Sequence, residues 1–400
     1  MSQSDTAANA GTPTEVFGAF LKLGLTSFGG PIAHLGYFRQ ELVIRRGWLT
    51  DQAYADLVAL CQFLPGPASS QVGFALGMMR AGWLGALAAF VAFTLPSALI
   101  LLVFALSAAS IAGPLGSGAL HGLKIVAVAI VAQAVWGMAR SLCPDRERAA
   151  IAVAAVALLA FLPGAIGMVG AIVMGAAVGV MLGRGAASPV GAAIPLSVTK
   201  LQACLALVAF AALLLVLPLL ADLSQSWAVL DSFYRAGALV FGGGHVVLPL
   251  LQAEVVAPAW VTEDQFLAGY GAAQAVPGPL FTFAAYLGAV LAPEPNGLWG
   301  ASLALLALFL PGFLLLIGAL PFWDALRARP QAQSAMQGAN AAVVGILGAA
   351  LYAPVFTSTI GDMRDFALAL ACFVALTVWK IAPWLVVLIA AGGVLLNLIA

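Results

Sequence analysis

The sequence predicts an all-α polytopic membrane protein built from two inverted-topology repeats with broken, re-entrant helices. Three observations carry that reading: long uncharged apolar runs, a duplication spanning most of the chain, and Pro-Gly-Pro placed inside two of the apolar stretches. Of 400 residues, 63% are hydrophobic and only 8% charged, far from the balance of soluble domains. Runs such as Ala81–Leu123, Ala149–Gly183 and Ile381–Ala400 contain no Asp, Glu, Lys or Arg and reach or exceed the roughly 20 residues that a helix needs to cross a bilayer. They lack the ten-residue alternation of a membrane barrel. The net charge is zero, so nothing points to a nucleic-acid partner. The start, MSQSDTAANAGTPTE, is polar without a basic segment, and no cleavable signal peptide is expected. Cys61, Cys143, Cys204 and Cys372 are scattered, and the three histidines have no metal spacing. Neither a metal nor another cofactor is expected.

The duplication is read from ordered matches. Pro65, Gly66 and Pro67 recur 212 residues later as Pro277, Gly278 and Pro279, and the same offset pairs Gln62 with Gln274, Trp48 with Trp260 and Thr50 with Thr262. One residue of slippage pairs FGG at Phe28–Gly30 with FGG at Phe241–Gly243, Lys22 with Arg235, and Glu41 with Glu254. Further on, Pro96 matches Pro311, and HGLK at His121–Lys124 matches QGAN at Gln337–Asn340. The chain therefore divides into a polar tail (1–13), a first repeat (14–182), a linker with one unpaired apolar helix (183–225) and a second repeat (226–400). Six helical segments per half plus the linker helix give about 13, as 6+1+6.

The basic residues give the topology. If the SFGGP and PGP stretches enter and leave by one face, then Arg39, Arg45, Arg46, Arg80, Arg140, Arg146, Arg148, Arg184, Lys200, Arg327, Arg329 and Lys380 share a side. Only Arg364 falls opposite. The positive-inside rule makes the crowded side the cytoplasm. Each half then crosses an even number of times, the linker helix adds one crossing, and the second half is inverted. Inverted repeats with broken helices are the architecture of secondary transporters, with substrate bound between the repeats.

The breaks suggest what is bound. Pro67 and Pro279 open the helices after the turns, where a missing N–H costs nothing. The free amides that follow, near Ser69 and Ser70 in one half and Thr282 in the other, suit an anion at a helix N-terminus. Gly66 and Gly278 are expected to leave room for its approach, and Gly29, Gly30, Gly242 and Gly243 repeat the device. Lys22, Lys124 and Arg235 are the cations left inside apolar segments, and no acid lies within those segments to neutralise them, so a buried anion is their expected partner. Gln62, Gln274 and Asn340 would add neutral donors. Glu41, Glu254 and His245 are candidates for proton coupling, with surface ion pairing the alternative for Glu41.

LGLTSFGGPIAHLGYFRQELVIRRGWL (Leu23–Leu49) with CQFLPGPASSQ (Cys61–Gln71), and the looser copies LVFGGGHVVLPLLQAEVVAPAWV (Leu239–Val261) and AQAVPGPLFTF (Ala273–Phe283), resemble the chromate ion transporter family in its two-domain, long-chain form. The likeness covers nearly the whole chain. It implies a multi-pass protein of the bacterial inner membrane, chromate efflux from the cytoplasm, chromate resistance, coupling to the proton-motive force, and sulfate as a competing look-alike. It also implies that single-domain relatives pair in opposite orientation. The residues themselves lead to an anion and to membrane lipid as partners, and the resemblance makes the anion a small oxyanion. They leave open chromate against sulfate, and whether a second copy of the chain is a partner. A membrane enzyme acting on an anionic lipid is the alternative of another class; it would need paired Asp clusters or a nucleophile with its base, and none lies in the apolar segments.

Overall fold

The computed structural model describes residues 11–108, 114–185 and 198–399. Most of the expected polar tail and the Gly/Pro/Ser-rich part of the linker lie outside the described residues. Among those described there are helices and no strands. The first half holds α1 (Pro13–Thr26), α2 (Gly30–Phe38, continued by a π-helical turn at Arg39–Arg45), α3 (Asp51–Phe63), α4 (Ala68–Ala108), α5 (Pro114–Leu142), α6 (Arg146–Phe161) and α7 (Ala165–Leu182). α8 (Lys200–Leu220) links to α9 (Gln225–Ala238), α10 (Val247–Val255), α11 (Glu263–Ala273), α12 (Phe283–Val290), α13 (Gly297–Ala319), α14 (Trp323–Arg327), α15 (Pro330–Ala350), α16 (Met363–Thr377) and α17 (Pro383–Ile399). The pieces outnumber the expected segments because each break leaves two arms.

α4 shows how the breaks work. Its 41 residues would reach about 60 Å if straight, twice the hydrocarbon thickness. Ala81 and Gly82 leave helical geometry (Gly82 φ 63°), and a Cβ placed on Gly77 would stand 2.4 Å from Gly85 O. Residues eight apart lie about 12 Å apart along a straight helix. The contact therefore requires a hairpin, with a short first arm and a long second one. Gly288 of α12 meets Gly300 of α13 in the same way, at 2.2 Å, so the hairpin recurs in the second half.

Contacts fix the faces. The Gly11 N–H donates to Arg80 O (2.9 Å), Glu15 pairs with Arg80 (3.1 Å), and the Arg80 guanidinium lies 5.5 Å from the Trp48 ring. The start of α1, the α2–α3 loop and the α4 reversal thus share one face. α1 descends to FGG and α2 returns; α3 descends to Pro-Gly-Pro and the first arm of α4 returns. The second arm of α4 and α5 then cross and recross, and α6 and α7 form a hairpin whose open ends Arg184 and Glu147 join at 2.7 Å. Arg327 pairs with Asp56 at 3.4 Å, which brings the end of α14 to the same basic face. Gly318, near the end of α13, packs on Leu207 of α8, so α8 starts there and crosses. α9 therefore begins on the opposite face, and the second half is inverted. On that face His121 meets Asp365 at 2.8 Å and Lys124 meets Asp264 at 2.7 Å.

The halves are not separate bodies. α15 packs against α6 and α7, while α5 packs against α16 and α17. Glycines make the approach close: a Cβ on Gly338 would stand 2.0 Å from Gly175 O, and one on Gly122 would stand 2.6 Å from Ala390 O. Gly122 and Gly338 are repeat mates, so each half grips the other through small residues, the usual route to helix association in lipid.

Each hairpin of α1 with α2, and of α9 with α10, carries an ion pair that overturns one sequence expectation. Lys22 and Arg235 do have acidic partners, Glu41 at 2.9 Å and Glu254 at 2.9 Å, each 19 residues on. Arg235 also meets Asp231 at 2.9 Å, one turn earlier on its own helix. Glu41 further accepts from Arg45 and Arg46, both at 3.0 Å, while Arg39 pairs with Asp51 instead. Except for Asp231, the partner acids lie not within the apolar segments of Lys22 and Arg235 but on the return arm.

Two outcomes follow from this packing. Gly338→Val and Gly122→Val should each cost about 1–3 kcal/mol in thermal unfolding of the detergent-purified protein, whereas Gly137→Val, with nothing within 4 Å of its Cβ position, should be near neutral. Arg235→Gln strands two buried carboxylates, Asp231 and Glu254, and should cost on the order of 3 kcal/mol. Lys22→Gln leaves Glu41 with two arginines and should cost about 1 kcal/mol or less.

Candidate functional site

Four breaks meet in the interior, and each depends on glycine. Gly29 and Gly30 have φ of 98° and 78°, Gly242 and Gly243 of 73° and 143°, and Gly66 and Gly278 of 118° and 106°, values that L side chains resist. The turns are tied across the halves by a reciprocal exchange. The Gly66 N–H donates to Val240 O at 2.8 Å, and the Gly278 N–H donates to Ser27 O at 2.9 Å. Ser27 and Val240 are repeat mates, so the two bonds are one contact made twice. Pro31 of the first FGG turn abuts Gly244 of the second, 2.9 Å from its Cβ position.

The glycines divide into two kinds. A Cβ on Gly66 would stand 2.9 Å from Gly312 Cα, and one on Gly278 would stand 2.8 Å from Ser97 Oγ. The room expected for a ligand at these two positions is filled by α13 and α4. Gly30 and Gly243 differ: nothing lies within 4 Å of their Cβ positions.

Beside the first FGG turn lies a cavity of about 260 Å³, walled by Gly29, Gly30, Ile130, Gln133, His245, Gln274, Leu376 and the α16–α17 loop from Lys380 to Pro383. Its polar groups are few. Gln274 has a buried amide nitrogen with no partner. The Gln133 amide nitrogen donates to Leu376 O (3.2 Å), and His245 Nδ1 lies 2.8 Å from the Tyr270 hydroxyl. Phe28 and Trp384, 5.9 Å apart, flank the turn and the loop. Lys380 is exposed and, among the described residues, has no ion pair. Among the described residues no acid lines this cavity. It offers a cation, an amide donor and bare glycine backbone to an anion, without a carboxylate to compete.

Four expected residues thus come together here: Gly29, Gly30, Gln274 and His245. Lys380 and Gln133 were missed. In the sequence Lys380 groups with the loop cations of the basic side, and Gln133 looks like any polar residue in a helix.

The remaining candidates lie elsewhere. Gln62 is exposed on α3, away from the cavity. Ser69 Oγ lies 3.4 Å from His34 Nδ1, and Ser70 Oγ is buried without a partner. The Thr282 hydroxyl donates to Pro279 O (2.8 Å) and caps its own turn. Asn340 Oδ1 is buried, unpartnered and beside Gly242. Lys22, Arg235, Glu41 and Glu254 brace the hairpins. Lys124 lines a second cavity on the opposite face, with Asp264 as its partner.

The chromate transporter family model matches residues 14–180 and 227–396, one stretch in each half. The chain is 31% identical over 399 residues to the chromate transport protein of Pseudomonas aeruginosa, covering 95% of this chain and 90% of that one. It is 28% identical to the chromate transport protein of Cupriavidus metallidurans (95% and 91% covered) and 27% identical to the probable chromate transport protein of Synechococcus elongatus (94% and 93%). No solved structure matches the chain. The inverted, intertwined membrane fold, the paired glycine breaks and these full-length likenesses agree: this multi-pass membrane protein belongs to the chromate transporter family.

Proposed function

We propose that the protein exports chromate from the bacterial cytoplasm through the central cavity, and so confers chromate resistance. The single observation that carries this reading is the cavity between the inverted halves in which Lys380, the partnerless Gln274 amide and the Gly29–Gly30 turn meet without an acid. A tetrahedral dianion would place one charge against Lys380 and its remaining oxygens against neutral donors. Only one of its two charges is then compensated, and the loaded site remains anionic. An anion leaving a negative-inside cytoplasm gains about 2.3 kcal/mol per charge per 100 mV, so the membrane potential itself favours efflux. His245, at the cavity wall with Tyr270 behind it, is the group we assign to proton coupling.

Fixed charges support the same direction. On the basic face Lys22, Arg45 and Arg46 surround the single carboxylate of Glu41. At the repeat-related position one cation, Arg235, faces two carboxylates. The first cluster is net positive and the second net negative, which gathers anions on one face and not on the other. Sulfate has the same shape and charge, and a few donors discriminate poorly between such oxyanions; sulfate transport is the second reading.

Radiolabelled chromate efflux from proteoliposomes tests the proposal, with an imposed potential or pH gradient and with sulfate as competitor. Efflux should follow both gradients. Lys380→Gln should lower it about tenfold or more, the loss of a charge-assisted contact, without loss of thermal stability, because no ion partner is stranded. Wild-type flux in that variant would exclude the cavity as the site, and sulfate flux matching chromate flux would favour the second reading. Gly30→Ala should fold, at a strain cost of about 1–2 kcal/mol for its left-handed backbone, yet transport poorly. Gly66→Leu should fail earlier, in folding or membrane insertion.

A further inference from the structure

The second cavity, about 680 Å³, opens at the opposite face between α4, α5, α11 and α12, with His121, Lys124, Asp264, Gln265 and Tyr286 among its walls. It shares two walls with the central cavity. Both are walled by α5 (Ile130 and Gln133 in one, His121 and Lys124 in the other) and by α11 with the turn that follows it (Gln274 in one, Asp264 in the other). Beside the second cavity α5 and α11 pack backbone to backbone: a Cβ on Gly271 would stand 2.3 Å from Leu123 O.

The Lys124–Asp264 pair at 2.7 Å is lopsided: the Lys124 side chain is 13% exposed and that of Asp264 76%. The cation is held inside the cavity wall, and its counterion hangs in water at the second residue of α11. An exposed carboxylate is a weak and exchangeable partner, and the start of α11 is capped independently by Thr262 and Gln265. The other charged contact at this wall is His121 with Asp365, and among the described residues Asp264 is the one acid that pairs with Lys124. The repeat gives a control inside the molecule. The mates of Lys124 and Asp264 are Asn340 and Gln52, so the basic face has no equivalent pair.

We propose that Lys124 and Asp264 form a one-sided release latch. An oxyanion that reaches the second cavity takes Lys124 as its counterion in place of Asp264. The Asp264 carboxylate then reclaims Lys124 and returns the oxyanion to water, which keeps the exit from becoming a trap. No bond is made or broken beyond this exchange of ion partners. The inference rests on the transport reading above, and the experiment separates the two.

Equilibrium binding of radiolabelled chromate to purified protein and efflux from proteoliposomes are measured on wild type, Asp264→Asn, Lys124→Gln and the double variant. Asp264→Asn should bind chromate roughly fivefold more tightly, the reach of one exposed ion pair, and turn over more slowly. Lys124→Gln should abolish that gain in the double variant. A wild type that transports chromate while Asp264→Asn binds and turns over like it overturns the latch alone. A wild type that neither binds nor moves an oxyanion overturns the transport reading and the latch with it. Slower turnover without tighter binding also rules the latch out, since a packing defect would do the same.

Discussion

A backbone N–H that is broken out of a helix inside a membrane must find an acceptor within the protein, because lipid supplies none. The rest of the fold hangs on how that demand is met at the Pro-Gly-Pro turns. Each turn offers a glycine amide, and each donates it to the carbonyl just before the FGG turn of the other half, Gly66 to Val240 and Gly278 to Ser27. Neither half can satisfy its own break. The two must be brought together from opposite faces, which is a structural reason for inversion that stands beside the crossing count.

The same mutual dependence runs through the helices around the breaks. α5 and α15 are each inserted against the partner half's last two helices, with Gly122 and Gly338 as the points of closest approach. Backbone contacts of this kind tolerate little adjustment, since there is no flexible side chain to move aside. The scaffold is therefore stiff where glycine meets backbone. It is roomy where Gly30 and Gly243 face open space, and a rigid frame around a few unfilled positions suits a site that must hold an ion and let it go.

Pseudo-symmetry in the backbone is not matched by symmetry in the charges. Lys22 with Glu41 and Arg235 with Glu254 are the same bond made twice, yet arginines surround the first and a second acid joins the other. Lys124 and Asp264 pair on one face, where their mates Asn340 and Gln52 are neutral. A duplicated carrier with identical halves would treat its two faces alike. Divergence of a few ionisable residues, at little cost to packing, is enough to make them differ.

The sequence by itself determined the membrane class, the repeat, the inversion and the positions of the breaks. These are properties of composition, spacing and local backbone chemistry, and Gly29, Gly30, Gln274 and His245 were legible because the repeat marks the motifs that carry or adjoin them. Only the tertiary structure decided which candidates meet. It gave Lys22 and Arg235 their carboxylates from the return arm of a hairpin, filled the space beside Gly66 and Gly278 with α13 and α4, and brought Lys380 from an apparent surface loop to the glycine turn. Each of these depends on contacts between segments distant along the chain, above all on helices exchanged between the halves. A one-dimensional pattern records where the chain breaks, but not which segment from the other half comes to fill the break.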